Sequence, residues 1–419
     1  MQNLETKLWL KAMQRNAMVI QKTKGRRENN SRLQVQTWLK LLQFLLKPKL
    51  LSNIPTSETN HLELWAGRMT LLSRIRTILK SKEEKAFIRN GSILLQELVA
   101  FCNGKCNPIC GFSAKELKRA TNNYDLRRVL HKNRFYKFYK GLLRDQPVLI
   151  KNFKGNFERC EVVFNEIVVA SLMSVHKNVL KLLGCCLETK VPTLVFEFAE
   201  SGNLGDQVSR QNNNCHFQPL SWRCRLKIAM DIANVVAYLH TAFPQPIIHR
   251  DIRCLNIFLS EDCTAKLSDF SVSRSFSDDE VDVKDEVPEI MGLTTAEYMA
   301  KQDVCSVGIL MLILLTGQKE ICKDPLENNK RIYIADYVRK YDFDEILDPM
   351  IFKEMLLEEV QQVEAFKALV MNCICESAGD RPTMTDVAKE LRRINQRSFT
   401  QDIVHITNCR DSSSPTNID

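Results

Sequence analysis

The feature that most constrains this chain is an ordered set of short polar motifs between residues 148 and 383. In chain order they are Val148-Leu-Ile-Lys151, Glu166, His249-Arg-Asp251 with Asn256, Ser268-Asp269-Phe270-Ser271, Asp303 and Gly379-Asp-Arg-Pro-Thr383. Each motif contains at least one charged or amide side chain. A lysine can hold phosphate oxygens, and carboxylate and amide oxygens can bind a divalent cation. The chain is long enough for a two-lobed body of roughly 270 residues with extensions.

In this order the motifs resemble those of a protein kinase domain of the plant receptor-like type, over residues 113–396. The resemblance implies an α+β, bilobal kinase-like fold with a small β-rich N-lobe and a larger helical C-lobe. We predict five regions: a basic helical or disordered extension over 1–79, a family N-terminal helical segment over 80–122, an N-lobe over 123–198, a C-lobe over 199–396 and a polar tail over 397–419.

The resemblance also implies a cofactor site for ATP. Phosphoryl transfer depends mostly on positioning and on neutralising charge. Lys151 would hold the α- and β-phosphates, and Glu166 would orient its ammonium group. Glu197 and Ala199, near the end of the predicted strand Leu194–Phe198, complete the expected cofactor-binding set.

The expected catalytic and metal-binding residues follow further along the chain. Asp251 would accept the proton of a substrate hydroxyl group, and Arg253 replaces the lysine that is common two residues later. Asn256 and Asp269 would bind Mg²⁺ through hard oxygen atoms. These residues also have a structural interpretation, because a Lys–Glu ion pair or a loop aspartate can persist in a domain that has lost catalysis.

The glycines that should cover the phosphates are missing. Where a kinase reads G-x-G-x-x-G, this chain has His131, Asn133 and Tyr136. Only a backbone without Cβ atoms can approach the phosphates closely. Tyr136 would place a ring where that backbone should come nearest.

Other positions around the expected nucleotide are enlarged. Phe138 replaces the usual valine, Leu149 the alanine and Phe258 the leucine two residues after Asn256. Ser271 replaces the D-F-G glycine and is expected to restrict that turn. These changes predict that ATP and Mg²⁺ binding is weak or absent and that catalysis is impaired.

The activation segment is short and acidic. Six carboxylates, Asp278, Asp279, Glu280, Asp282, Asp285 and Glu286, surround the single Lys284. Two strings resemble the A-P-E motif, Val287-Pro-Glu289 and Ala296-Glu297-Tyr298, and the sequence does not choose between them. Either glutamate is a candidate ion-pair partner for Arg381.

Charge and cysteine content limit the function classes. Residues 1–89 contain 18 Lys and Arg against 6 Asp and Glu, whereas the chain as a whole carries +9, so the main body is slightly acidic and no nucleic-acid partner is expected. Fifteen cysteines without a secretory signal are expected to be reduced thiols of a cytoplasmic protein. The longest apolar run, Val307–Leu315, is expected to be a core helix.

Residues 1–79 have two interpretations. The segments Trp38–Leu46 and Leu62–Leu79 have the pattern of short basic helices, which would suit peripheral association with the plasma membrane or a partner helix. The simpler interpretation, which we favour, is a poorly ordered extension, because this region contains no motif with a mechanism.

Longer strings carry a closer resemblance. FIRNGSILLQELVAFCNGKCNPICGFSAKELKRATNNYD, NEIVVASLMSVHKNVLKLLGCCLE and the triplet DFS resemble the plant cytoplasmic pseudokinases related to the HopZ-ETI-deficient protein, over residues 80–396. That resemblance implies an adaptor in plant innate immunity. The implied partners are a leucine-rich-repeat immune receptor, modified receptor-like cytoplasmic kinases and pathogen effectors.

Three hypotheses follow. The first is a cytoplasmic pseudokinase adaptor. The second is an active ATP-dependent Ser/Thr protein kinase with a divergent glycine-rich loop, and the third is a membrane-surface scaffold that depends on the basic N-terminus.

Overall fold

The computed structural model describes residues 82–102, 109–154, 160–210, 220–276, 294–324, 327, 329–341, 343–354 and 357–408. The basic helices expected before residue 80 and the string Val287-Pro-Glu289 lie outside these ranges. Contacts divide the chain into two compact units. The first comprises residues up to Leu172 together with Lys181–Phe198, and the second comprises Met173–Leu180 and Ala199 onward. The segment Met173–Leu180 thus joins the second unit, although it was predicted within the N-lobe.

The first unit is built on a six-stranded sheet with the order β1-β5-β6-β4-β3-β2. Its strands are β1 (Cys110–Gly111), β2 (Val129–Lys132), β3 (Tyr136–Leu143), β4 (Gln146–Phe153), β5 (Leu182–Cys186) and β6 (Thr193–Glu197). Strands β3 and β4 form a hairpin in which Tyr136 faces Phe153 and Phe138 faces Lys151. Since side chains alternate across a strand, Tyr136 and Phe138 share one face of the sheet.

Among the described residues of this unit, three helices accompany the sheet: α1 (Lys82–Cys102), α2 (Ala114–Ala120) and α3 (Cys160–Met173). Helix α2 begins with the predicted capping box, in which the Ser113 side chain accepts a hydrogen bond from the Glu116 amide. Helix α1 is fixed by Asn90, whose amide nitrogen donates to the carbonyls of Leu187 (2.9 Å) and Thr189 (2.8 Å). The family N-terminal segment is therefore part of this unit.

The second unit is mainly helical. Its helices are α4 (Leu204–Arg210), α5 (Trp222–Thr241), α6 (Thr295–Thr316), α7 (Ile334–Lys340), α8 (Phe343–Ile346), α9 (Leu357–Cys373) and α10 (Met384–Asn408). Its short strands are β7 (Gly202–Asn203), β8 (Ile247–Ile248), β9 (Ile257–Leu259), β10 (Ala265–Leu267), β11 (Arg274–Ser275), β12 (Ile321–Asp324) and β13 (Lys330–Tyr333). The predicted α+β class with one β-rich and one helical part is confirmed.

Two details differ from expectation. Helix α10 continues to Asn408, so the first residues of the predicted polar tail over 397–419 are helical. Cys224 and Cys263 form a disulfide with a Cα–Cα distance of 5.7 Å, whereas all thiols were expected to be reduced. The count of cysteines could not reveal this pair, because only the packing of α5 beside the β9–β10 turn brings the two together.

Helix α6 is long and apolar enough to cross a membrane by length and composition alone. This is weak evidence for a span, since 61% of its most apolar window is buried inside the protein. Within Val307–Leu315 every residue except Ile309 is buried, as expected of a core helix.

Candidate functional site: the nucleotide and catalytic motifs

Lys151 and Glu166 form a buried ion pair in the first unit. Strand β4 presents the lysine and helix α3 the glutamate, and Lys151 Nζ lies 2.8 Å from both carboxylate oxygens. The two side chains are 0% and 1% exposed. The pair predicted from the motif is thus present, and both of its charges are removed from water.

Three aromatic rings enclose the ammonium group. Lys151 Nζ lies 4.2 Å from the ring centroid of Tyr136, 5.4 Å from that of Phe153 and 5.8 Å from that of Phe138. The Tyr136 ring packs edge-on against the other two, with centroid distances of 5.5 Å to Phe138 and 5.8 Å to Phe153. A desolvated cation over an aromatic face gains about 2 kcal/mol or more. We call Tyr136, Phe138 and Phe153 the aromatic enclosure.

The turn before β3 is closed by its own side chain. The Asn133 carboxamide oxygen accepts hydrogen bonds from the backbone N–H groups of Phe135 (2.8 Å) and Tyr136 (2.8 Å). Lys154 Nζ donates to the Asn133 carbonyl at 2.7 Å. A glycine-rich loop binds phosphates through backbone N–H groups. Here the N–H groups of Phe135 and Tyr136 already donate to Asn133. The asparagine in place of glycine therefore removes two phosphate donors as well as adding side-chain volume.

The enlarged adenine-side residues of this unit belong to its core. Leu149 is fully buried, and Phe138 packs against Phe196 at a centroid distance of 6.3 Å. Glu197 is half-buried, and its carboxylate accepts a hydrogen bond from the Lys181 amide at 2.9 Å. The first unit therefore satisfies its nucleotide-motif residues with its own groups.

In the second unit, Asp303 fixes the catalytic loop. Its carboxylate accepts hydrogen bonds from the backbone amides of His249 (2.8 Å) and Arg250 (2.9 Å) and contacts His240 Nε2 at 3.0 Å. Asp303 is 1% exposed. Arg250 has a left-handed φ of 69°, a conformation unfavourable for a residue with a Cβ atom. The carboxylate holds the loop in this conformation.

His249 joins the catalytic loop to the next motif. Its Nδ1 accepts from the Asp251 amide at 3.2 Å, so Nε2 carries the proton and donates to the Ser268 carbonyl at 3.2 Å. Burial lowers the pKa of His249, despite the nearby carboxylates, and so favours this neutral form. The ring also packs edge-on against Phe270 at 5.1 Å.

The catalytic-loop residues are close together and mutually bonded. Asn256 Nδ2 donates to the Asp251 carboxylate at 2.8 Å and to the Asp251 carbonyl at 2.9 Å, and Arg253 lies 3.1 Å from the same carboxylate. Burial raises the pKa of Asp251, an effect that Arg253 and Asn256 partly offset. A base with a raised pKa is compatible with proton transfer. It is equally compatible with an aspartate that only organises its loop.

The residues predicted to bind Mg²⁺ have the oxygen atoms that this role requires. Asp269 is 7% exposed and has a left-handed φ of 63°, and Asn256 is 2% exposed. Their carboxylate and carboxamide oxygens are hard ligands of the kind that Mg²⁺ takes. Ser271 does not have a positive φ. A serine therefore fits this turn, and the left-handed backbone lies two residues earlier, at Asp269. The expected restriction of the turn by Ser271 stays a prediction.

Glu297 does not pair with Arg381. It is the third residue of α6, where its carboxylate and Thr294 form a second capping box. The Arg381 guanidinium instead donates to the backbone carbonyls of Lys301 (3.1 Å), Cys375 (2.9 Å) and Glu376 (3.3 Å). The proposed Glu297–Arg381 ion pair is thus corrected, and Glu289 lies outside the described residues.

The sequence did not reveal two members of this arrangement. Asn133 was noted only as a lost glycine, although asparagine before a turn commonly bonds to the backbone two residues on. Phe153 lies in no sequence motif. A predicted register for the β3–β4 hairpin would have placed Phe153 opposite Tyr136, as the structure does.

The fold and the motif residues of each unit define a protein of the kinase class. The family described as protein tyrosine and serine/threonine kinase matches residues 124–391, and the chain belongs to this family. Among its relatives, the Arabidopsis thaliana serine/threonine-protein kinase ZRK1 is 40% identical and covers 75% of this chain and 93% of its own. The non-functional pseudokinase ZED1 from the same plant is 37% identical, with 76% and 98% covered. The non-functional pseudokinase ZRK2 is 39% identical, with 75% and 90% covered. The predicted kinship with this plant group is confirmed.

We expect Lys151→Met to lower the free energy of unfolding by about 3–5 kcal/mol, because Glu166 would remain buried without its cation. The double variant Lys151→Met/Glu166→Leu should recover most of this loss, since apolar groups often replace a buried ion pair at little cost. Urea unfolding measures both. Lys227→Met, which breaks the exposed pair with Asp262, is the control and should cost at most about 1 kcal/mol. A double variant as unstable as the sum of its two singles would contradict this account.

We expect Asp303→Asn to destabilise the second unit by about 1–3 kcal/mol or more. The asparagine has one side-chain oxygen atom, so one of the two buried backbone N–H donors would face its NH₂ group instead of an acceptor. Urea unfolding and hydrogen exchange of the His249 and Arg250 amides provide the measurements. The matched control is Asp336→Asn, which affects only the exposed pair with Arg339 and should change stability by less than about 1 kcal/mol. Equal losses in the two variants would show that Asp303 has no special anchoring role.

Proposed function

We propose that this protein is a pseudokinase adaptor in plant innate immunity, which binds a leucine-rich-repeat immune receptor and modified receptor-like cytoplasmic kinases. The observation that carries the proposal is the aromatic enclosure of Lys151. The lysine that should meet the phosphates is fully buried, bonded to Glu166 and covered by Tyr136. A kinase fold that satisfies this charge internally needs no nucleotide for stability and can serve as a binding surface.

Two further observations support the first half of the proposal. The N–H groups of Phe135 and Tyr136 donate to Asn133, so they are not available to a phosphate in this conformation. ZED1 and ZRK2, both named non-functional pseudokinases, are similar over nearly their whole lengths. The immune role, the partners, including pathogen effectors, and a cytoplasmic location rest on the family resemblance, and peripheral membrane association rests on the basic residues 1–79.

An active Ser/Thr protein kinase is the second candidate. It is favoured by the second unit, in which Asp251, Asn256 and Asp269 keep the chemistry for proton transfer and Mg²⁺ binding. It is also favoured by ZRK1, which is named a serine/threonine-protein kinase and is 40% identical. This candidate requires the aromatic enclosure to open, so that Lys151 can exchange its ring contacts for phosphate oxygens.

We expect ATP with Mg²⁺ to leave the thermal midpoint of the full chain unchanged, because Tyr136 and Asn133 occupy the groups that should hold the phosphates. A ligand present at about 100 times its Kd would stabilise the protein by about 2.7 kcal/mol, which a thermal scan detects readily. Tyr136→Phe keeps the ring and should behave like the natural chain. Asn133→Gly/Tyr136→Gly removes both obstacles and should gain a shift.

Radiolabelled autophosphorylation separates the two candidates. The proposal predicts that the natural chain incorporates no more labelled phosphate than the Asp251→Asn variant. That variant removes the carboxylate at the base position and leaves the Lys151–Glu166 pair intact. Incorporation that Asp251→Asn abolishes would establish the kinase candidate and exclude the pseudokinase proposal. A thermal shift with ATP and no incorporation would indicate nucleotide binding without transfer.

The adaptor role is tested by its partner. We expect the full chain to be retained by the leucine-rich-repeat domain of a coiled-coil nucleotide-binding immune receptor, with or without ATP, since the fold needs no nucleotide. A chain lacking residues 1–79 should be retained equally, because the family resemblance that implies this partner covers residues 80–396. Retention lost together with residues 1–79, along with loss of liposome flotation, would favour the membrane-scaffold hypothesis instead.

A further inference from the structure

The β12–β13 hairpin of the second unit presents a small, unusual outer face. The two strands pair antiparallel, with Ile321 opposite Tyr333 and Lys323 opposite Arg331. These four side chains lie on one face because residues two apart on a strand point the same way. The opposite face carries Cys322 and Asp324, which are buried. We call Ile321, Lys323, Arg331 and Tyr333 the hairpin face.

The hairpin face rests on a well-anchored base. Asp324 is 1% exposed, and its carboxylate accepts hydrogen bonds from Lys340 Nζ at 2.8 Å and from the Tyr341 hydroxyl group. The amide of Ile334 donates to the Glu320 carbonyl at 2.9 Å, which closes the open end of the hairpin. Two strands alone are marginal in water, so these contacts to α7 hold the hairpin in place.

The apolar half of the hairpin face is exposed to solvent. Ile321 is 48% exposed, and Tyr333, directly across from it, is 61% exposed. Covering such side chains would release about 25 cal/mol for each Å² of apolar surface. Tyrosine is among the residues most often found as energetic anchors of protein interfaces.

The basic half carries charge without local compensation. Lys323 and Arg331 face each other across the strands, an arrangement that costs stability for like charges. Both are exposed, and within the described part of the chain the side chain of neither residue forms a hydrogen bond or an ion pair. Two uncompensated cations beside two exposed apolar side chains favour a partner that offers carboxylates next to an apolar group.

A cavity of about 250 Å³ adjoins the hairpin face at Arg331 and Tyr333. Its other walls include carboxylates that would oppose an acidic partner, but each has a cation of its own. Asp324 contacts Lys340 at 2.8 Å, Glu327 contacts Lys330 at 3.7 Å, and Asp336 contacts Arg339 at 3.1 Å. Among the described charged residues that line this cavity, Arg331 is thus the residue without an ion-pair partner.

We propose that the hairpin face is a docking site for an acidic segment of another protein, with an apolar or aromatic residue of that segment packed against Ile321 and Tyr333. Lys323 and Arg331 bind the flanking carboxylates. The site is independent of the nucleotide motifs, so it would operate in an active kinase as well as in a pseudokinase.

The test uses the full chain and a labelled synthetic peptide, Glu-Asp-Glu-Trp-Glu-Asp-Glu, in fluorescence anisotropy. We expect binding that weakens at least about tenfold in Lys323→Glu/Arg331→Glu, because opposite charges become like charges. Ile321→Ser/Tyr333→Ser should also weaken it, since the anchor is lost. The amide peptide Gln-Asn-Gln-Trp-Gln-Asn-Gln should bind neither the natural chain nor the variants. Unchanged thermal midpoints show that the exposed substitutions leave the fold intact.

The matched control is Lys118→Glu/Arg119→Glu, the same change of charge at two exposed residues of α2. It should leave peptide binding unchanged, and an equal loss there would overturn the proposal in favour of general charge attraction. Flotation with phosphatidylcholine–phosphatidylserine vesicles adds a second arm. If the natural chain and the α2 variant float and the Lys323→Glu/Arg331→Glu variant does not, the hairpin face binds anionic lipid and the protein-segment proposal is wrong.

Discussion

The buried ion pair between Lys151 and Glu166 is the constraint on which the first unit depends. An ammonium group that is 0% exposed must be compensated inside the protein, because its hydration is lost. The carboxylate supplies two short hydrogen bonds, and the aromatic enclosure supplies faces of negative potential. In a nucleotide-dependent kinase, phosphate oxygens would share this task. Here the chain performs it alone, so strand β4 and helix α3 stay connected without a ligand.

The second unit also depends on a buried charge that is compensated inside the protein, in this case a negative one. Asp303 is a buried carboxylate whose bonds to the His249 and Arg250 amides hold a strained loop, and Asn256 bonds to Asp251. Residues known for chemistry therefore also carry the local architecture. Their persistence says little about catalysis, whereas the closure of the turn at Asn133 bears on it directly, because it removes donors that a phosphate requires.

A kinase-like domain that keeps its fold without nucleotide can act through surfaces that bind other proteins. The exposed surface of the second unit is therefore relevant to function. The β12–β13 hairpin offers one, with exposed Ile321 and Tyr333 beside the uncompensated Lys323 and Arg331. Their relation could not be read from the sequence, since residues 321–333 contain no known motif and only the strand register makes them neighbours.

The sequence by itself determined the family, the α+β class, the α2 capping box, the Lys151–Glu166 pair and the loss of the phosphate-binding glycines, because these depend on local patterns or on motifs in order. Only the tertiary structure decided what fills the place of the glycines, and that Glu297 caps a helix instead of pairing with Arg381. It also decided that Cys224 meets Cys263. The reason is physical. A motif specifies which groups are present, whereas their partners depend on strand register and helix packing, which bring together residues that the sequence keeps apart.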